Sequence, residues 1–485
     1  MPPMHAQLAW VKPRKAHMTK KPSTRLTALA LAALLSGCSF IPTYERPAAP
    51  VATQWPGETA ATSAAQPVAD IPWQSFFSDA RLRALVEQAL ANNRDLRVAV
   101  LNIEQARAQY RIQRADRLPS IGVGASGTRT ELGQGGSTTA YQVGLTLSSW
   151  ELDFFGRVAS LSEAALGQYL ATDEGRKSTQ ITLVSAVANA YLSLLADEEL
   201  LELTRQTLVT REDSAKLSKL RFDNGVASEL DLRQAQSLLE AARATLAQLQ
   251  RQRAQDQNQL TLLVGQPDWA QRIAALPATS RLESAVVMND LPAGLPSDVL
   301  TARPDIRQAE QLLRSANANI GAARAAFFPR ITLTAGFGTV SSQLSGLFES
   351  GSWGFSAAPQ LLLPIFDGGR NQAGLDSANV NRDIAVAQYE KAIQTAFREV
   401  ADALAGRATL GEELRAQQAQ AEAESARFKL SDLRYRNGVA SYLDLLDAQR
   451  SLFVTQQAVV QTRLAQLQNQ VTLYKTLGGG WTSQP

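Results

Sequence analysis

The chain carries its own plan twice. Residues 221–239 (RFDNGVASELDLRQAQSLL) and 434–452 (RYRNGVASYLDLLDAQRSL) are identical at 12 of 19 positions across an offset of 213, where unrelated segments would share about one. Asp95 to Ile121 matches Asp305 to Ile331 at an offset of 210, sharing Asp95/Asp305, Arg97/Arg307, Arg114/Arg324, Pro119/Pro329 and Ile121/Ile331. Phe155-Gly-Arg157 answers Gly368-Gly-Arg370, and Leu263-Val-Gly265 answers Leu477-Gly-Gly479. Each half therefore reads helix, strand, strand, long helix, turn, helix, and the fold must accommodate two such units.

The helical parts are unusually long. Residues 160–222 and 370–436 run 63 and 67 residues without a proline, about 95–100 Å if each is continuous. The returning helices carry heptad-like seams, with Leu232, Ala235, Leu239, Ala242, Leu246 and Leu249 in the first half and Leu445, Ala448, Leu452 and Val459 in the second. The many alanines let helices approach closely while Gln and Arg keep another side wet. A plain dimeric coiled coil does not account for the strand pairs, expected at 119–131, 140–153, 329–340 and 352–366.

Those strands alternate sharply. Ile121, Val123 and Ala125 oppose Gly122, Gly124, Ser126 and Thr128, and Tyr141, Val143, Leu145 and Leu147 oppose Gln142, Gly144, Thr146 and Ser148. Ile331, Leu333, Ala335 and Phe337 likewise oppose Thr332, Thr334, Gly336 and Gly338, and Trp353, Phe355 and Ala357 oppose Gly354, Ser356 and Ala358. One apolar face and one small, polar face is the pattern of an outer-membrane barrel strand, with Tyr141, Trp150 and Trp353 placed like interfacial girdle residues. A soluble two-sheet core shows the same alternation, so the address of the chain matters. Four strands cannot close a barrel, and open edges are not tolerated in lipid. Two copies give eight strands with a side-chain-filled interior, whereas three give twelve and an aqueous passage.

The address lies in the first 38 residues. A ten-residue stretch, LTALALAALL at 26–35, follows Lys20, Lys21 and Arg25 and ends in Leu35-Ser-Gly-Cys38. It has a signal-peptide layout and is too short to span a bilayer. Leu-Ser-Gly-Cys resembles the lipobox of bacterial lipoproteins, which makes Cys38 the lipid-bearing first residue of the mature chain. Met18 is an alternative initiator to Met1. Six basic residues and no acidic ones precede Cys38, so the totals of 48 Lys+Arg and 45 Asp+Glu leave 42 against 45 beyond it, a net of −3. Both histidines, His5 and His17, lie in the same leader, and Cys38 is the only cysteine. From residue 39 onward zinc, haem and iron–sulfur sites, Ser-His-Asp triads and thiol nucleophiles lack the side chains they lean on. Binding, transport and carboxylate-only chemistry survive, though no converging acid pair stands out for a glycosidase. Gly122-Val-Gly124-Ala-Ser-Gly127 fits G-x-G-x-x-G, but no helix follows it, and it reads as barrel strand.

Several motifs together resemble the TolC-like outer-membrane factors, in the NodT-type lipoprotein branch that serves drug efflux. They are Trp73-Gln-Ser-Phe-Phe77, Ala91-Asn-Asn-Arg-Asp-Leu-Arg97, Trp150-Glu-Leu-Asp-Phe-Phe-Gly-Arg157 and Leu295-Pro-Ser-Asp-Val-Leu-Thr-Ala-Arg-Pro-Asp-Ile-Arg307. Pro364-Ile-Phe-Asp-Gly-Gly-Arg370, the segment 434–450 and Leu477-Gly-Gly-Gly-Trp481 complete the set. The resemblance implies an α+β, mainly α fold: a homotrimer sharing a twelve-stranded barrel, continued by a periplasmic α-helical barrel. The expected division is signal peptide 1–37, lipid-anchored tether 38–80, first repeat 81–264, equatorial linker 265–302, second repeat 303–477 and tail 478–485. The loops 131–140 and 340–352 would face the cell exterior.

Two groups of residues are the candidate site. The hairpin tips, 223–228 and 436–441, place Gly225 and Gly438 where a helix ends in the left-handed conformation, and Ser228 and Ser441 where the next helix is capped. Turn chemistry does not explain Val226 and Val439. By resemblance these tips, with Gly225, Val226, Gly438 and Val439, mesh with a periplasmic adaptor (membrane fusion) protein. Leu443, Asp447 and Arg450 fall at i, i+4 and i+7 on one helix face, and a local ion pair there is worth only a few tenths of a kcal/mol. The resemblance implies that they form the ring closing the periplasmic end, a latch that the first repeat, with Leu230, Gln234 and Ser237, lacks. The expected function is a passive, non-enzymatic exit duct fed by an inner-membrane RND-type pump. No cofactor is expected beyond the covalent lipid on Cys38, and the partners are outer-membrane lipid, adaptor and pump, with no nucleic acid. The rivals are a duct for an ABC-driven protein exporter and a pore-less scaffold lipoprotein.

Overall fold

The computed structural model describes residues 39–56, 68–133, 135–274, 282, 291 and 297–481. The expected signal peptide, Met18 and Cys38 lie outside the described residues, as does most of the equatorial linker. A short α1 (Trp73–Phe76) ends the tether; the first repeat runs through α2 (Ala80–Asn92), α3 (Arg94–Ala115), β1 (Ile121–Leu132), β2 (Gly136–Glu151), α4 (Arg157–Asp223) and α5 (Glu229–Val264), and a short α6 (Trp269–Ile273) follows in the linker. The second comprises α7 (Pro304–Ala325), β3 (Arg330–Ser341), β4 (Trp353–Leu362), α8 (Arg370–Arg436) and α9 (Tyr442–Thr476). Helices α4 and α8 each span 67 residues without a break, about 100 Å.

The passage from strand to long helix explains two of the motifs. In Trp150-Glu-Leu-Asp-Phe-Phe-Gly-Arg157 the chain reverses at Gly156 (φ 70°), and the Asp153 carboxylate accepts from the Ala159 N–H at 2.7 Å. Glu151 receives Arg157 and, from the other repeat, Arg330, each at 2.7 Å. In Pro364-Ile-Phe-Asp-Gly-Gly-Arg370 the Asp367 carboxylate accepts from the N–H groups of Gly369 and Asn371. Each aspartate thus satisfies orphan donors at a helix start.

The strands form one antiparallel sheet in the order β1-β2-β3-β4. The hairpin β1–β2 stays paired as far as Leu132↔Gly136, so β2 starts four residues earlier than expected and the connection is shorter than the expected 131–140. Strand β4 stops at Leu362 instead of 366, two residues before Pro364, which has no N–H for a ladder. The register lines up Val123, Leu145, Phe337 and Phe355 across all four strands, with Ala125, Val143, Thr339 and Trp353 above and Ile121, Leu147, Ala335 and Ala357 below. A bulge between Leu147 and Trp150, with Ser149 at φ 49°, adds one residue to β2. It turns Trp150 onto the same face as Leu147, which strict alternation would have denied it. Phe337, Trp353 and Phe355 remain 52–73% exposed, an apolar face without cover in the single chain.

The opposite face carries a row of four glycines, Gly124, Gly144, Gly338 and Gly354. At Gly144 an added Cβ would collide with the carbonyl oxygen of Phe337, and at Gly338 with that of Val143. Strands β2 and β3 leave no room for a side chain there, and only glycine permits the approach.

The main core lies at the middle of the molecule, where the tether and chain end wrap the long helices. Phe76 stacks on Tyr474 at 3.9 Å, the Tyr474 hydroxyl donates to the Ile71 carbonyl at 2.5 Å, and Trp55 stacks on Phe397. The tether is fixed to α7 through Glu310, which accepts from Arg46 at 2.8 Å, from Arg314 at 3.0 Å and from the Tyr44 hydroxyl at 3.2 Å. Burial alone would raise the Glu310 carboxyl, but Arg46 and Arg314 outweigh it and hold it below the usual range.

Candidate functional site

Both helical hairpins end in the same turn. Asn224 closes α4 and Gly225 adopts φ 73°, so that the N–H of Val226 reaches back to the Arg221 carbonyl at 2.9 Å. Asn437, Gly438 (φ 72°) and Val439 repeat this, with the Val439 N–H on the Arg434 carbonyl at 2.9 Å. The 6→1 bond and left-handed glycine make a Schellman cap. On the far side Ser228 with Asp231 and Ser441 with Asp444 form complete capping boxes.

These turns are closed by hydrogen bonds of their own yet leave their apolar residues in solvent. Val226 is 72% and Val439 68% exposed, and no atom lies within 4 Å of a Cβ built at Gly225 or Gly438. Just inside the tips the hairpins are stapled together. Tyr435, Tyr442, Leu445 and Leu446 pack with Ala215, Ala235 and Leu238 in a small separate core. Arg221 of α4 lies over the Tyr435 ring at 4.6 Å.

Leu443, Asp447 and Arg450 share one exposed face of α9, opposite Leu445 and Ala448, which are buried. Within the chain Asp447 and Arg450 form no local ion pair. Asp447 instead accepts from Arg427 of α8, which also pairs with Glu424. Arg450 has no ion-pair partner among the described residues, and Leu443 is 59% exposed. Arg427 was missed in the sequence, although a signal existed. It and Asp447 lie ten residues on either side of Asn437, so folding the hairpin back on itself sets them level. The equivalent positions Leu230, Gln234 and Ser237 of α5 carry no charge.

Among the described residues no group of three or more His, Cys, Asp or Glu side chains could hold a metal ion. What the geometry offers is mechanical: two tall hairpins with apolar tips, an exposed face of Leu443, Asp447 and Arg450 beside one of them, and a four-stranded sheet with one apolar side.

The family profile described as outer membrane efflux protein matches residues 85–266 and 295–479. The chain belongs to this family. It is an outer-membrane efflux channel protein, and its family is one of ducts rather than enzymes. The channel is 48% identical over 473 residues to the antibiotic efflux pump outer membrane protein ArpC of Pseudomonas putida, covering 95% of this chain and 96% of ArpC. It is equally similar, over the same extent, to the toluene efflux pump outer membrane protein TtgC of Pseudomonas putida. The open-state MtrE outer membrane channel of Neisseria gonorrhoeae superposes on the efflux channel with a TM-score of 0.83 at 40% identity, over 92% of this chain and 99% of MtrE. These relatives do not favour the expected rivals, a protein-secretion duct or a pore-less scaffold.

Proposed function

We propose that three copies of this chain assemble into a passive duct through the outer membrane, with a twelve-stranded barrel above and an α-helical barrel in the periplasm. The observation that carries this reading is the open, four-stranded sheet with one apolar face. The internal repeat supplies the assembly rule. Strand β2 of the first repeat pairs with β3 of the second, so β4 pairs by the same rule with β1 of the next copy. The helices obey it too: α7 is packed on both α4 and α8, whereas its repeat counterpart α3 rests on α4 alone. Helix α3 buries only Leu96 and leaves Val98, Leu101 and Ile112 more than half exposed. A neighbour's α8 supplies the missing wall. Such head-to-tail contacts close into a ring, and three copies give a barrel with a wet interior where two would not.

In this reading Cys38 carries the lipid that anchors the channel. The tips, with Gly225, Val226, Gly438 and Val439, dock a periplasmic adaptor, and Leu443, Asp447 and Arg450 ring the periplasmic mouth as a gate. Energy comes from an inner-membrane pump of the RND type, and the cargo is drugs or other small molecules, in keeping with the antibiotic and toluene efflux of the relatives. Native mass spectrometry of the detergent-extracted protein tests the assembly. It should give three chains, each beginning at Cys38 and carrying one lipid modification that Cys38→Ser removes. A dimer, or a monomer stable through gentle extraction, contradicts the reading.

A further inference from the structure

The most unusual charge in the molecule lies between the two hairpins, below the tip core. Arg211 of α4 is only 4% exposed. One guanidinium nitrogen, Nη1, donates to the Leu238 carbonyl at 3.1 Å, and the guanidinium lies over the Phe453 ring at 4.9 Å. Its Nε has no hydrogen-bond partner, and no carboxylate pairs with it among the described residues. A charge of the same sign acts on it: burial first, and then Arg450, push the Arg211 pKa down. A guanidinium does not give up its proton in a protein, so a buried one calls for a counter-charge.

A cavity of about 160 Å³ opens beside it, between α4, α8 and α9. Thr207, Thr210 and Gln449 line one side, and Phe428, Leu452 and Phe453 the other. Gln449 is buried and its amide nitrogen donates to the Ser214 hydroxyl at 3.0 Å, leaving Oε1 without a partner. Because a serine hydroxyl both donates and accepts, the amide can be turned over at no loss, which aims its NH₂ into the cavity. The cavity holds roughly five waters' volume. That is enough for a carboxylate built on a single small ring, and short of the roughly 300 Å³ that a drug-sized ligand takes.

We propose that this cavity is a binding site for a small organic carboxylate, held by Arg211 and Gln449 with its apolar part against Phe428, Leu452 and Phe453. A planar guanidinium with a free edge matches a carboxylate better than it matches a neutral ligand. The occupant touches both hairpins one helical turn from Arg450, so it ties the α8–α9 hairpin to α4 beside the gate face.

The probe is 4-bromobenzoate, added to the detergent-solubilised trimer and measured by calorimetric titration and by bromine anomalous diffraction from soaked crystals. The proposal expects bromine density in the cavity and a carboxylate on the Arg211 guanidinium. Affinity should fall at least about tenfold in Arg211→Gln and for the neutral 4-bromobenzamide. Thr207→Phe, which fills the cavity without touching the charge, should also abolish binding and serves if Arg211→Gln fails to assemble. Bromine density elsewhere only, waters alone on Arg211, or equal binding of the benzamide would overturn it.

Discussion

Asp447 shows how far a single residue could be placed before any coordinates. Its helix face was legible from the i, i+4, i+7 spacing with Leu443 and Arg450, because helical periodicity is local. Its partner was not, because the contact with Arg427 depends on the register of the whole hairpin. Arg211 was invisible for the same reason: nothing in the repeat marks one arginine of many as buried between hairpins. Asp197 is a third case. It is 7% exposed on α4, facing Asp256 of α5, with Arg253 and Glu198 beside the pair and Gln252 donating to Asp256. Burial, and then the Asp256 charge, push its carboxyl up to about 7. The folded protein therefore keeps this proton to higher pH than the unfolded chain does. The stability it contributes is whole below the ordinary value of 3.8 and is lost as pH rises through about 7. Asp197→Asn should accordingly gain in melting temperature over the native trimer as pH rises from about 4 to about 8. A gap that stays constant across that range would refute the shared-proton account.

At the scale of elements, the long helices and the two tips were largely written in the sequence, since proline-free length, left-handed glycines and Ser-x-x-Asp boxes are local signals. Strand existence and facing were legible from alternation, but strand ends were not. The β1–β2 hairpin zips closer to its turn than composition indicated, and the bulge that re-aims Trp150 leaves no alternation signal. Two elements invite direct tests. Gly338→Val forces a side chain into the Val143 carbonyl between β2 and β3, and should abolish trimer assembly on native gels; normal amounts of trimer would contradict the close approach of the two strands. At the tips, Gly225→Trp and Gly438→Trp change shape at positions with open space around them. They should abolish efflux in a resistance assay while normal amounts of trimer reach the outer membrane. Trimers of these variants that still confer resistance would show that the adaptor does not dock there.

For the whole molecule, the duplication is the property from which most else follows. Because the second repeat meets the first through β2–β3 and through α4–α7, each chain displays at its ends the same two surfaces, unpaired. A mid-molecule core rich in Trp, Phe and Tyr holds the repeats, tether and chain end as one piece, while the sheet above and the hairpins below remain unfinished until neighbours arrive. The number of neighbours could be argued from the sequence, since four strands neither close nor make a wet interior in pairs, but the head-to-tail rule needed the observed pairing of repeats. Single-channel conductance in planar bilayers tests the resulting duct most directly. The purified trimer should insert with discrete, uniform steps, and Asp447→Ala combined with Arg450→Ala should raise the step size by loosening the ring at the periplasmic mouth. Trimers that insert and pass no current in either form would contradict the account.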